Sequence, residues 1–353
     1  MTLTEVDTPA LLLDLDKLER NLDKMAALAR ERGVLLRPHA KTHKTPLIAR
    51  MQLERGALGI CCAKLGEAEV MAGEGIEDIL ITTEIVGHRK IERLISLARK
   101  AKVAVVVDDA AAAGEISAAC IRAGITLPCF VDVNVGQNRT GVAPGEPAAG
   151  LAAAIASEPG LTFAGLQGYE GHLQHIRHVG ERKAASARAM QALIETAQRI
   201  ERRGLRVERL TTAGTGTASY VDAAGYPLEI QPGSYAMMDA QYGAVEGVDF
   251  EHALTVLTTV ISVHADRVVV DAGLKACSTD AGMPKPVGLE ASYLPGGDEH
   301  GLLSGPAKFF VGMQPELIPG HCDTTINLHD EYIVRRGGEV IGHWPIAARG
   351  RVR

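Results

Sequence analysis

Residues 37–44 read RPHAKTHK and put five basic or potentially basic side chains, Arg37, His39, Lys41, His43 and Lys44, into eight positions. The preceding GVLL reads as a buried strand, and alternation along an extended chain would turn Arg37, His39, Lys41 and His43 to one side. A lysine amine, with a reference pKa of about 10.4, is normally protonated. Neighbouring cations such as Arg37, His39 and Lys44 would disfavour that proton and free the Lys41 amine to attack an aldehyde. Two further segments suit an anion. TTAGTGTAS supplies Gly214, Thr215, Gly216 and Thr217, and QPGSYAMMD supplies Gly233, Ser234 and Tyr235. Glycines there admit close backbone approach and hydroxyls donate, although a tight turn without a ligand uses the same residues. A conditioned lysine paired with a phosphate cradle is the equipment for Schiff-base chemistry with pyridoxal phosphate.

The stretch PGHCDTTINLHD carries a second constellation. On a strand, His321 and Asp323 face one side and Cys322 the other. An imidazole and a carboxylate on one face can share a divalent cation, and such an N/O pair suits Mn, Mg, Co or Zn. A metal-free His–Asp pair fits the same spacing, and a turn breaking the alternation would make Cys322 a ligand instead. His329 and Asp330 follow further on.

The elements that must position these residues follow from hydrophobic period. From residue 34 to about 230, short apolar runs alternate with amphipathic ones: VLLRPH, LGICCAK, DILITT, VAVVVD, LPCFVDVNV, TFAGLQGYEG, VERLTTAG and LEIQPG precede or separate helical segments, TASYVDAAG among them. Strands apolar throughout have both faces covered, so a (β/α)8 barrel is expected over 18–250, with an open doubly wound sheet as the alternative. Barrel chemistry sits at the C-terminal strand ends. Lys41 lies just past the first strand, Arg139 past the fifth, Gln167, Tyr169 and His172 past the sixth, 214–217 past the seventh, and Gly233, Ser234 and Tyr235 past the eighth. After about 250, strand-like runs separated by turns such as RRGG read as a β domain over 251–353, and the N-terminal strand segment 1–17 could be an outlying strand of either domain.

Composition bounds the rest. The 353 residues are 46% hydrophobic and 23% charged but only 4% aromatic, so Ala, Val, Leu and Ile must build the core. A net charge of −6 argues against nucleic acid as a partner. No apolar run approaches the roughly 20 residues of a membrane span, and the acid-interrupted start does not read as a signal peptide. The six cysteines show no framework spacing and read as reduced thiols of a cytoplasmic protein.

Several segments in order, TPALLLDLDKLERN, RPHAKTHK, AKLGEAEVMAGEGIEDILI, NRTGV, QPGSYAMMDAQYG, DAGLKACSTD, DEHG and IPGHCDTTINLHD, resemble the D-threonine aldolase and D-serine dehydratase family of alanine-racemase-like pyridoxal-phosphate enzymes over nearly the whole chain. The resemblance implies a barrel and a β domain in a homodimer, with the N-terminal strand segment 1–17 joining the β domain and Lys41 as the cofactor lysine. It implies a divalent metal held by His321 and a residue two positions on. Aspartate there, here Asp323, marks the aldolases, and cysteine typically marks the dehydratases. The implied reaction is retro-aldol cleavage of a 3-hydroxy-D-amino acid to glycine and an aldehyde. In that reading Arg139 and His39 contact the cofactor's phenolic oxygen or the lysine. Tyr169 packs beside the ring, ordinary barrel-mouth packing being its other explanation. Where alanine racemases place an arginine facing the pyridine nitrogen, this chain has Gln231, a neutral amide expected to temper the electron sink. Cleavage of 3-hydroxy-D-aspartate to glyoxylate, dehydration of D-serine or 3-hydroxyaspartate, racemisation, and cofactor carriage without turnover are the rival activities.

Overall fold

A computed structural model describes residues 2–353. Strand β1 (Ala10–Asp14) leads into helix α1 (Leu15–Arg32). Then follow β2 (Leu35–Leu36), α2 (Pro46–Glu54), β3 (Ile60–Cys62), α3 (Leu65–Gly73), β4 (Asp78–Ile81), α4 (His88–Ala98), β5 (Lys102–Val107) and α5 (Ala110–Ala123). The alternation continues through β6 (Leu127–Asp132), α6 (Glu146–Ser157), β7 (Leu161–Gly168), α7 (Val179–Glu201), β8 (Arg209–Thr212) and β9 (Leu228–Ile230). The chain divides into two compact units: residues 26–41, 48–233 and 351–353 form one, and residues up to Met25 with Thr42–Leu47 and Ser234–Gly350 form the other.

In the first unit eight parallel strands run in the order β2-β9-β8-β7-β6-β5-β4-β3. A parallel bridge between His39 and Cys61 joins the two ends, with Ala40 N donating to Cys61 O at 2.8 Å. The sheet is therefore a closed barrel and not an open one. The β-branched run KVAVVV of β5 shows why these strands form: nearly every side chain is covered, so no polar alternation survives. Cys61, Leu80, Val106, Phe130 and Ala164, one from each of five consecutive strands, make a buried cluster of modest volume. Helix α5 is bounded by local chemistry. Asp109 caps its start by accepting from the Ala112 amide at 2.9 Å, and Gly124 ends it at φ 67.

One expected helix is missing. TASYVDAAG forms turns between β8 and β9, because Ala224 and Gly225 adopt φ 49 and 94 and Pro227 follows.

The second unit holds two sheets. Strands β10 (Leu254–Leu257), β11 (Val260–Val263), β12 (Val268–Val270), β13 (Lys285–Pro286), β14 (Ser292–Pro295), β15 (Gly301–Ser304) and β16 (Glu316–Ile318) precede helix α8 (Cys322–Ile326). Strands β17 (Glu331–Arg336) and β18 (Glu339–Pro345) close the unit. Six strands run β13-β16-β10-β1-β17-β18 and four run β11-β12-β15-β14. Strand β1 thus lies inside the larger sheet, antiparallel to β10 and parallel to β17. The RRGG turn between β17 and β18 places Gly337 and Gly338 at φ 55 and 89, as a two-residue hairpin with the sheet's own twist requires. No helix among the described residues is long and apolar enough to cross a membrane.

Candidate active site and metal centre

Lys41 sits half-buried in the turn just beyond the His39–Cys61 bridge. Its amide donates to His39 Nδ1 at 3.3 Å. That ring nitrogen is therefore unprotonated, and Nε2 donates to Thr82 Oγ1 at 3.0 Å. Thr82 in turn donates to the Cys62 carbonyl at 3.3 Å. His39 is thus held neutral in one tautomer beside the lysine's backbone.

Arg37, one of the cations expected around Lys41, is committed to carboxylates. Arg37 is buried, with Nη1 2.6 Å from Asp78 Oδ1 and Nε 3.0 Å from Glu229 Oε2. Burial disfavours its charge, but Glu229 and Asp78 outweigh that and hold it firmly protonated. Arg37 is neutralised by carboxylates instead of conditioning Lys41. His43 and Lys44 belong to the other unit, where the Lys44 carbonyl accepts from the Ala348 amide.

Past β6, Asn134 Oδ1 accepts from the Gly136 and Asn138 amides, both at 3.0 Å, and shapes the loop that carries Arg139. Arg139 is exposed, with Cζ 5.9 Å from the Tyr169 ring centroid. Arg139, Tyr169, Gln167 and Asp132 border one small recess. Asp132 accepts from Gln167 Nε2 and Thr140 Oγ1, each at 2.9 Å. Burial, then the charges of Asp132 and Asp108, push the Glu84 carboxyl up to about 7. Its ordinary value is 4.5. Between those pH values the folded chain keeps a proton that the unfolded chain releases, so stability falls as pH rises through that window and levels off above it. Glu84→Gln should flatten the decline in thermal midpoint between about pH 5 and about pH 8; calorimetry at several pH values checks this.

The Gly214–Thr217 loop follows β8, with Ala213 in the left-handed region at φ 63. Its support was not legible as a motif. Gln174 is fully buried, accepts from the Gly216 amide at 2.8 Å and donates to Thr217 Oγ1 at 3.1 Å. Arg182, also buried, donates to the Gly216 carbonyl at 2.8 Å. A Cβ on Gly214 would stand 2.6 Å from Gln174 Oε1, and one on Gly216 2.3 Å from the Gln174 carbonyl. The Gln174 backbone therefore demands glycine at 216, whereas a side chain at 214 would have to displace the Gln174 amide. Thr217 Oγ1 also accepts from the Gly214 amide, so its side chain braces the loop from within.

Beyond β9, Gln231, Gly233, Ser234 and Tyr235 are buried, and the Tyr235 ring meets Phe250 edge-on at 5.6 Å. Among the described residues no protein acceptor takes the amides of Gly233 and Ser234. Buried unpaired amides look for an anion. In the barrel unit, which also carries Lys41, the Gly233 amide suits an anion such as a phosphate group.

In the other unit, His321 is extended, at φ −140 and ψ 121, and caps α8, so Asp323 lies in a helical first turn. The strand expected through His321–Asp323 is not formed. Two non-local contacts decide this. A Cβ on Gly320 would stand 2.0 Å from the Gly282 carbonyl, and Asp239 Oδ2 accepts the Cys322 amide at 2.9 Å. Cys322 points inward, and burial, then Asp239 and Asp323, push its thiol well above the ordinary range, which disfavours a thiolate ligand. His329 donates Nε2–H to the Ala276 carbonyl at 2.8 Å, and burial pushes its pKa down, so it serves structure.

His321 Nδ1 lies 2.8 Å from Asp280 Oδ2, while Asp280 Oδ1 accepts from Ser278 Oγ and Thr324 Oγ1, both at 2.7 Å. A carboxylate on Nδ1 leaves the Nε2 lone pair for a metal, which is how metal-ligating histidines are usually oriented. His321 and Asp323 thus stand at the cap and in the first turn of α8, and among the described residues no group of three or more His, Cys, Asp or Glu side chains is gathered around them as a ready metal cluster. Asp280→Ala should weaken Mn2+ binding by about 10- to 100-fold, read by calorimetric titration.

Residues 13–241 match the family model described as alanine racemase, N-terminal domain, and residues 253–335 match a putative serine dehydratase domain. A D-threonine aldolase from Arthrobacter is 43% identical over 99% of this chain and 94% of its own. A 3-hydroxy-D-aspartate aldolase from Paracoccus denitrificans is 40% identical over 99% of this chain and 93% of its own. The crystal structure of a D-threonine aldolase from Filomicrobium marinum superposes with a TM-score of 0.97 at 45% identity, covering 100% of this chain and 98% of that one. With its barrel closed behind Lys41 and its second unit presenting His321 and Asp323, the chain belongs to the alanine-racemase-like family, in the group that includes these aldolases.

Proposed function

We propose that the chain is a pyridoxal-phosphate- and divalent-metal-dependent aldolase that splits 3-hydroxy-D-amino acids of the D-threonine type into glycine and an aldehyde. The observation that carries this reading is the pair His321 and Asp323, with His321 turned by Asp280 so that Nε2 is left to ligate. Bound pyridoxal phosphate supplies an electron sink for the carbon that loses the aldehyde. A bound divalent ion supplies a Lewis acid for the 3-hydroxyl. Lys41 would hold the cofactor through its side-chain amine. The Gly233 and Ser234 amides, with Thr215, hold the phosphate. Arg139 and His39 address the phenolic oxygen and the lysine, and Tyr169 stacks near the ring. Asp323 completes the ligand set that orients the hydroxyl.

The 40% identity to a 3-hydroxy-D-aspartate aldolase favours glyoxylate as a second possible aldehyde product. Mass spectrometry after incubation with D-threonine and D-3-hydroxyaspartate, with cofactor and Mn2+, decides. Glycine with acetaldehyde or glyoxylate supports the aldolase and ranks the substrates. A 2-oxo acid with ammonia would make the chain a dehydratase and overturn the argument from Asp323. We further place the enzyme in the cytoplasm, on the strength of six cysteines that form no disulfide, and as a homodimer, which light scattering on the purified holoenzyme tests.

A further inference from the structure

The hydrogen bonds behind Gln231 run in one direction only. Glu229 is fully buried between Arg37 at 3.0 Å and Arg209 at 3.1 Å, and a carboxylate between two cations accepts hydrogen bonds and donates none. Thr211 gives its single hydroxyl proton to Glu229 Oε1 at 2.9 Å. Its oxygen can then only accept from Gln231, whose Nε2 lies 2.7 Å away. The other side is fixed independently. Gln167 Nε2 faces Asp132 Oδ1 at 2.9 Å and the Thr82 carbonyl at 3.4 Å, both acceptors. Gln167 therefore turns its Oε1 to Gln231 and receives the second amide proton at 3.3 Å. Flipping Gln231 would set oxygen against oxygen at Gln167 and leave no proton for the contact with Thr211. Gln231 is 3% exposed, and among the described residues no protein group donates to its Oε1.

A carbonyl oxygen can bond a pyridine nitrogen only when that nitrogen carries a proton. Resting on the cofactor site set out above, we propose that Thr211 and Gln167 are positioning residues. They hold Gln231 with its carbonyl oxygen toward the ring nitrogen of bound pyridoxal phosphate, which is thereby kept protonated. A protonated ring withdraws electrons more strongly than a neutral one. The neutral amide then strengthens the electron sink that its lack of charge would suggest it tempers. An arginine at the same place would donate and hold the nitrogen bare. The buried cluster of Arg37, Arg209 and Glu229 acquires a purpose as well: it makes Glu229 the acceptor that sets the polarity of the whole chain.

The test is 15N NMR of the holoenzyme reconstituted with ring-15N pyridoxal phosphate. Visible absorbance and borohydride trapping verify in the same samples that Lys41 holds the cofactor. The wild-type resonance should lie at the pyridinium position. Gln231→Leu and Gln231→Arg should move it to the neutral-pyridine position, and Gln231→Glu should leave it in place. Thr211→Val should move it partway, because Gln231 then keeps only its bond to Gln167 and is held less firmly, whereas Thr211→Ser should restore it. A merely structural role for Thr211 would not move the resonance. A wild-type resonance at the neutral position with covalent cofactor present, or an unmoved resonance in a folded Thr211→Val holoenzyme, overturns the proposal and leaves the aldolase reading standing. Absence of covalent cofactor from the wild type overturns both. Should Thr211→Val fail to fold, Gln231→Leu decides by itself: an unmoved resonance there also overturns the proposal.

Discussion

Lys41→Ala yields a folded chain with no covalently held cofactor and with cleavage slowed by roughly 10^4-fold or more, the scale on which one member of a cooperating catalytic set acts. The fold survives because Lys41 is a half-buried turn residue whose structural contact to His39 runs through its backbone amide, which alanine keeps. Three measurements separate chemistry from structure. Circular dichroism and the thermal midpoint stay near wild type. The visible absorbance of lysine-bound cofactor disappears. Borohydride, which fixes cofactor to the peptide containing residue 41 in the wild type, labels nothing. Covalent cofactor retained in this variant would assign the role to another lysine.

Asp323→Ala loses cleavage on the order of 10^3-fold at saturating Mn2+, as expected when a Lewis acid that contributes several kcal/mol is mispositioned. His321→Ala behaves alike, and the double variant is little worse than either single one, since both remove the same ion. Chelation of the wild type reproduces the effect, and added metal reverses it. Asp280→Ala differs in kind: it raises the metal concentration needed, and excess metal restores most of the rate, because the carboxylate orients a ligand without being one. Full activity of Asp323→Ala at saturating metal would remove the principal support for an aldolase. The two variants therefore distinguish holding an ion from aiming the residue that holds it.

The barrel was legible because most of its strands are short, largely apolar runs covered on both faces, a pattern that local sequence carries. What stayed hidden was set by partners distant in the chain. Arg37 reads as one cation in a basic cluster, yet Asp78 and Glu229 decide its direction. The glycines of GTGT are visible, but their reason is Gln174, which no motif announces. HCD reads as a strand because five helical residues are too few to show a period, and the turn is imposed by Gly282 and Asp239. In the second unit β13 covers only Lys285–Pro286, too short for alternation to register. Residue types at the candidate site could be read off; their orientations could not, because hydrogen-bond polarity depends on what stands behind each side chain.

The burial of all six cysteines has a practical use. Burial pushes the Cys120 thiol up to about 11 and those of Cys129 and Cys277 to about 12, so reactive thiolate is scarce in the closed molecule. A thiol reagent can then reach sulfur chiefly when the chain opens. Cys61, Cys62, Cys120 and Cys129 lie in the barrel unit, and Cys277 and Cys322 in the other. Peptide-resolved labelling rates would time the opening of each unit separately, without any added probe. Cys322, seated between His321 and Asp323, would be an internal clock for the metal loop, slowing as the ion binds.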